Sequence, residues 1–321
     1  MSIYTTKQLA STLHLKVALL HDLAQESNSH YHPYSKKKHR EDGTIKERII
    51  DNPDEEIKSV QRIINRIILS PAIRSLPPYM HGARPGKNIR TSAKVHIGQP
   101  ALLTLDLENC FPSINSGMVY NLFRARFGYS KPIATILTRL TTYQGHLPQG
   151  SPTSSSLCNL ILEPLVTELY NLCTSHGINF SQFMDDFYLS GQLIALLKIK
   201  QKAMSRITDH HLKISQRKTR ITTRANGMIL ANITINRKIS IGHSKKHSLE
   251  RTIMRLTKND LADYKLKAHE VQIAQRQHRK VPKCKTKIHT LKGQIANVFA
   301  INPEQGHILH QKLNKRLNSL Q

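Results

Sequence analysis

Two apolar runs of strand length lie 79 residues apart, and both carry bare carboxylates. ALLTLDL (101–107) closes on Asp106, and FSQFMDDFYLS (180–190) holds Asp185 and Asp186 between two apolar flanks. The first reads as a buried strand ending in an acid. The second has the outline of a β-hairpin with its acids at the turn. Neighbouring strands lie roughly 4.8 Å apart, so one sheet holding both elements brings three carboxylates together. Like charges at that spacing demand a strongly charged cation. Hard oxygen ligands in an incomplete shell suit Mg²⁺. Two such ions, about 3.5–4 Å apart, form the clamp used for in-line nucleotidyl transfer.

The charge balance points the same way. The 321 residues carry 48 Lys and Arg against 21 Asp and Glu, a net +27. Such an excess calls for a polyanionic partner, because each basic side chain near a phosphate releases a condensed counterion. Trp is absent and aromatics make up only 5%, so base stacking would fall to the few Tyr and Phe. The cysteines Cys110, Cys158, Cys173 and Cys284 form no CxxC pair and are expected as free thiols in a reducing cytoplasm. The start, MSIYTTKQLASTLHLK, lacks the apolar core of a signal peptide, and no apolar run reaches transmembrane length. A cytoplasmic protein without a membrane partner is expected. His243, His247, Cys284 and His289 fit no standard zinc spacing.

Along the chain, 5–25 reads as one or two short helices with Thr5 or Thr6 as cap. Asp42-Gly43 marks a hairpin turn, with its second strand over 44–50. The period of Ile57, Val60, Ile63, Ile64, Ile67 and Ile68 predicts a helix over 54–69 that Pro71 stops. A Pro/Gly-rich loop follows over 75–88. Residues 115–140 are mainly helical, 147–156 form a loop, and a helix begins near Ser154. Further predicted elements are a helix over 194–210 and short strands within 221–241. The segment 237–321 is helical and basic, with 19 Lys and Arg against 5 Asp and Glu.

Four segments in order make the chain resemble a reverse transcriptase: LLTLDLENCFPSI around Asp106, LPQGSPTSSSLCNL (147–160), FMDD (183–186), and HLKISQRKTRI (211–221) with Lys218. Short length, KERIIDNP (46–53) and SAKVHIG (92–98) are similar to the bacterial retron-type and defence-associated enzymes. Three positions depart from the retron pattern: Phe183-Met184 stands for Tyr-Ala, Ser92-Ala93 for Asn-Ala, and Ala225-Asn226-Gly227 for Val-Thr-Gly.

The resemblance implies an α+β right-hand polymerase. The N-terminal helices and fingers are expected over 1–100, a ferredoxin-like palm over 101–236, and a basic helical thumb over 237–321. It implies Asp106, Asp185 and Asp186 as catalytic residues, and two Mg²⁺ ions held by them with Leu107. It places Phe111 under the sugar, Gln149 and Gly150 in the nucleotide pocket, and Lys46 and Arg48 on the triphosphate. Lys218 would protonate the pyrophosphate, and Met184 would lie against nucleic acid. Arg276, Arg279, Lys280, Lys283, Lys285 and Lys287 are expected as a phosphate-binding stretch. The implied activity is RNA-directed DNA synthesis from dNTPs on a cognate structured non-coding RNA, in a retron or anti-phage system. A protein effector or an oligomeric assembly is a possible further partner. A template-independent or protein-primed DNA polymerase, and a catalytically idle RNA-binding or maturase-like protein, are the competing readings.

Overall fold

Local signals set the first elements of the computed structural model, which describes residues 3–39, 45–231, 233–276 and 286–321. α1 (Thr6–Thr12) opens on a capping box: Thr5 Oγ1 accepts the Gln8 N–H, and the Thr5 N–H donates to Gln8 Oε1. α2 (Val17–Gln25) follows. β1 (Tyr34–His39) and β2 (Ile45–Ile50) pair antiparallel, from Tyr34↔Ile50 to His39↔Ile45. The predicted turn at Asp42-Gly43 lies outside the described residues. α3 (Glu55–Ile64) is capped by Asp54, which accepts the Ile57 N–H and pairs with His30 Nδ1 at 2.7 Å.

Pro71 does not stop this helix. The chain widens into a π-helical turn over Asn65–Leu69 and resumes as α4 (Ser70–Arg74), with Pro71 in its first turn. The widened turn, in which the Ser70 N–H reaches back five residues to the Asn65 carbonyl, accommodates the proline ring and its missing N–H.

Two compact units divide the chain. The first joins Met1–Asn88 to Leu102–Ile221, and the second joins Ile89–Ala101 to Thr222–Gln321. Within the second unit, the Gly98 N–H donates to the Asn236 carbonyl, and the Arg224 N–H to the Pro100 carbonyl. α5 (Ile89–Lys94) also packs on helix 287–301 of the same unit.

The catalytic scaffold begins at β3 (Ala101–Asp106), whose six residues are all buried. After it come α6 (Cys110–Ser113), α7 (Ser116–Asn121), α8 (Lys131–Thr141) and the long α9 (Ser154–Thr174). β4 (Asn179–Phe183) and β5 (Asp186–Gly191) form the predicted hairpin, Phe183 facing Asp186. α10 (Leu193–Asp209) then leads to β6 (Arg220–Thr223). The sheet order is β4-β5-β3-β6. With its helical crossovers this is the β-α-β-β-α-β ferredoxin-like arrangement, and it seats β3 directly beside β5. Leu157, Leu160, Leu165, Val166 and Leu169 of α9 and Leu196, Ile199 and Ile207 of α10 are buried with these strands. That burial is worth roughly 1.5–3 kcal/mol per large side chain before entropy is counted.

In the second unit, β7 (Ile229–Leu230), β8 (Ile233–Thr234) and β9 (Ser240–Ile241) form a small antiparallel sheet. α11 (His243–Met254), α12 (Lys258–Arg276), α13 (Lys287–Ile301) and α14 (Pro303–Ser319) follow. Leu249, Ile253, Leu291, Ile295, Val298 and Leu309 lie in their shared core. No helix among the described residues is long and apolar enough to cross a membrane.

Candidate active site

Asp106 ends β3 and Asp186 opens β5, and these two strands are adjacent in the sheet. The Leu107 N–H donates to the Asp185 carbonyl at 2.9 Å, fixing the end of β3 to the hairpin turn. On the other side Leu107 bridges Ile214, and the Ser215 N–H donates to the Asp106 carbonyl at 2.8 Å. That second seam carries Lys218 into the site. Its ammonium donates to both Asp106 oxygens, at 2.8 and 2.6 Å, although the lysine itself is half exposed.

Asp106 is buried and Asp185 and Asp186 are half-buried, and three carboxylates so placed oppose one another's charge. Burial, then a hydrogen bond with Asp106, then the Asp185 and Asp106 charges push the Asp186 carboxyl up to about 8. Burial and the Asp106 charge also raise Asp185, opposed by Lys218 and Arg48. Among the described residues, the Lys218 ammonium bonds the cluster directly, and the Arg48 charge acts on Asp185. Such a donor set, all hard oxygens short of positive charge, fits a divalent cation. Among the described residues, no three His, Cys, Asp or Glu side chains already close on a metal position. Asp106 is instead turned onto Lys218.

Two supports of this cluster were not read from the sequence. Tyr188, two residues along β5 on the Asp186 face, donates its hydroxyl to Asp186 Oδ2 at 3.0 Å. Strand alternation was the signal for it. The hairpin turn is clamped from a segment distant in sequence: the Gln182 N–H donates to the Tyr79 carbonyl, and the His81 N–H to the Gln182 carbonyl. Gln182 Nε2 also donates to the Met184 carbonyl and to Asn159 Oδ1, while Asn159 Nδ2 donates to the Gly82 carbonyl. Met184 takes a left-handed φ of 58°, which the tight turn requires.

The expected nucleotide pocket residues come from separate elements. Phe111 sits half-buried on α6, five residues past Asp106. Arg48 is exposed on β2 and close enough for its charge to act on Asp185. Lys46 faces Lys38 in the strand register, and its side chain lies outside the described residues. Gly150, with φ 138°, leaves no room for a side chain, because a Cβ would lie 2.9 Å from the Asp51 carbonyl oxygen. The close approach it permits is to the protein's own main chain. The Cys110 and Cys158 sulfurs touch at 3.5 Å, and Cys110, Cys158 and Cys173 are free and buried.

The expected phosphate-binding stretch is described only at its edges. Arg279, Lys280, Lys283 and Lys285 lie outside the described residues, as does the Arg276 side chain. Lys287 pairs with Asp260 at 3.2 Å. His243 and His247 contact each other, His289 instead bonds Thr286 and stacks near Tyr264, and Cys284 lies outside the described residues.

Residues 35–248 match the family described as Reverse transcriptase (RNA-dependent DNA polymerase). Three retron reverse transcriptases are similar to the chain. That of retron Mx65 from Myxococcus xanthus is 26% identical over 97% of this chain and 72% of its own length. That of retron Ec86 from Escherichia coli is 32% identical over 62% of each. That of retron Se72 from Salmonella heidelberg is 31% identical over 55% of this chain and 47% of its own length. With the acids, the hairpin and the sheet order in place, the chain belongs to the reverse transcriptase family of RNA-dependent DNA polymerases.

Proposed function

We propose that this polymerase is the reverse transcriptase of a bacterial retron or related anti-phage system, copying part of a cognate structured RNA into DNA in the cytoplasm. The observation that carries the catalytic reading is the meeting of Asp106, Asp186 and Lys218 at the edge of the β4–β5 hairpin. The Leu107 main chain and the carboxylates of Asp106, Asp185 and Asp186 would hold two Mg²⁺ ions. When bound, these would activate a primer hydroxyl and neutralise the triphosphate. Arg48, with Lys46 beside it on β2, would offer donors to the triphosphate oxygens. The Phe111 ring would meet a ribose 2′-hydroxyl and so favour dNTPs. Lys218, once released from Asp106, is assigned to protonate the leaving pyrophosphate.

The test is metal-dependent dNTP incorporation by the purified chain, with and without an RNA template. Asp106→Ala and Asp185→Ala should each lower incorporation by at least about 10³-fold, since one lost ligand removes charge from both cation positions. RNA binding and thermal melting should change little. Substantial synthesis by either variant overturns the catalytic assignment, and equal synthesis without template overturns the RNA-directed reading.

A further inference from the structure

A second buried carboxylate besides Asp106, that of Asp51, serves a different part of the molecule. It is only 6% exposed and directly follows β2, three residues beyond Arg48. Asp51 Oδ2 accepts the Gln149 N–H at 2.9 Å and lies 3.6 Å from His146 Nε2. The Asp51 carbonyl is also the atom against which Gly150 packs. One residue therefore touches three positions of the loop 146–150 by its carboxylate and its main chain.

The loop has other anchors. The Leu147 N–H donates to the Ile114 carbonyl, and Ser154 Oγ to the Pro148 carbonyl. Ser151 Oγ donates to Gln61 Oε1, while Gln61 Nε2 donates to the Tyr31 hydroxyl and the Leu140 carbonyl. These bonds hold 147 and 151 without Asp51. What Asp51 adds is the placement of the peptide between them. An amide N–H held by a carboxylate is a charge-assisted bond, stronger and shorter than a neutral one. Gln149 is half-buried, and its main-chain N–H is the group that Asp51 holds.

The geometry points to Asp51 as a positioning residue for the incoming nucleotide. It sets the distance between the finger strand that carries Arg48 and the peptide that carries Gln149, so that both sides of the nucleotide pocket are formed before substrate enters. This inference rests on the reading of Gln149 and Gly150 as pocket wall. Asp51 is buried, so it acts through that peptide and does not touch the nucleotide. Preorganisation of this kind lowers the ordering cost of binding, so its loss should appear in KM more than in kcat.

The experiment is single-nucleotide incorporation by the full chain on an RNA template with a DNA primer, with template–primer affinity measured in parallel. Asp51→Ala should raise KM for the dNTP about tenfold while kcat stays within about threefold. Asp51→Asn keeps an oxygen acceptor in the same place and should restore KM to within about threefold of the parent. Gln149→Ala tests the underlying pocket reading. If Gln149→Ala raises KM and Asp51→Ala does not, the positioning role is overturned and the pocket reading stands. If neither changes KM, the pocket reading is overturned as well. An Asp51→Ala chain that does not fold, or that loses kcat and template–primer affinity together, makes Asp51 a residue of the fold and overturns the proposal. Failure of Asp51→Asn to recover KM overturns the hydrogen-bond basis.

Discussion

Asp186 is half-buried beside Asp106 and bonded to Tyr188, and its carboxyl is pushed up to about 8 from an ordinary value of 3.8. The folded chain therefore keeps a proton that the unfolded chain loses near pH 4. Between about pH 4 and about pH 8 the folded state binds more protons, so this group lowers stability as pH rises through that window. Its neutral form is fully compatible with the fold below pH 4, and the penalty is complete above pH 8. Asp186→Asn is neutral throughout. Without divalent cations, the variant should melt several degrees above the parent at about pH 8 and nearly with it at about pH 4.5. A divalent cation competes with that proton, so its stabilising effect on the parent should grow over the same window. Thermal melting against pH for both chains checks this. Parallel profiles would show that Asp186 does not carry the proton.

At the scale of the element, the β4–β5 hairpin owes its position to a loop about a hundred residues earlier in the chain. A Cβ on Gly82 would lie 2.5 Å from the Met184 nitrogen and within 2.9 Å of its side chain. Gly82→Ala must therefore displace the turn that carries Asp185. Displacements near 1 Å at a reacting centre cost about 10²-fold in rate. Gly82→Ala should lower incorporation by roughly 10–100-fold while template binding persists; near-parental activity would show that the turn is not held by this contact. The hairpin itself was legible because a two-acid turn between apolar flanks is a local pattern, as was a helix cap at Thr5 or Thr6, of which the structure uses Thr5. The clamp from Tyr79, His81 and Gly82 was not, nor was the bond from Asp51 to Gln149, because each joins segments whose separation no periodicity records. Pro71 misled for a related reason. Its effect depends on whether the preceding turn widens, and Asn65 is engaged at that turn by Ser156 of α9. The grouping of 89–101 with the C-terminal helices likewise rests on main-chain bonds such as Gly98 to Asn236.

Over the whole molecule the governing quantity is charge, and its distribution is uneven. Residues 237–321 hold 19 of the 48 Lys and Arg and only 5 of the 21 Asp and Glu. Several of these cations are already committed within the unit: Lys287 to Asp260, Lys312 to Glu250, and Lys238 to Glu304. Exposed pairs like these contribute little to stability, about 0–1 kcal/mol, but they lower the charge offered to a polyanion. Arg279, Lys280, Lys283 and Lys285 form a denser run, and RNA helices are held mainly through backbone phosphates and shape. Replacing those four by Gln should weaken RNA binding and flatten the log-log salt dependence by up to about 0.7–0.9 per lost contact. Lys287→Gln alone should change the slope less than any one of the four, because its ammonium is held by Asp260. Binding isotherms across a salt series, on a structured RNA and a single-stranded control, make the measurement. A quadruple variant with parental affinity and slope would remove this run from the RNA interface, and a larger effect from Lys287 would show that its pairing with Asp260 gives way to phosphate.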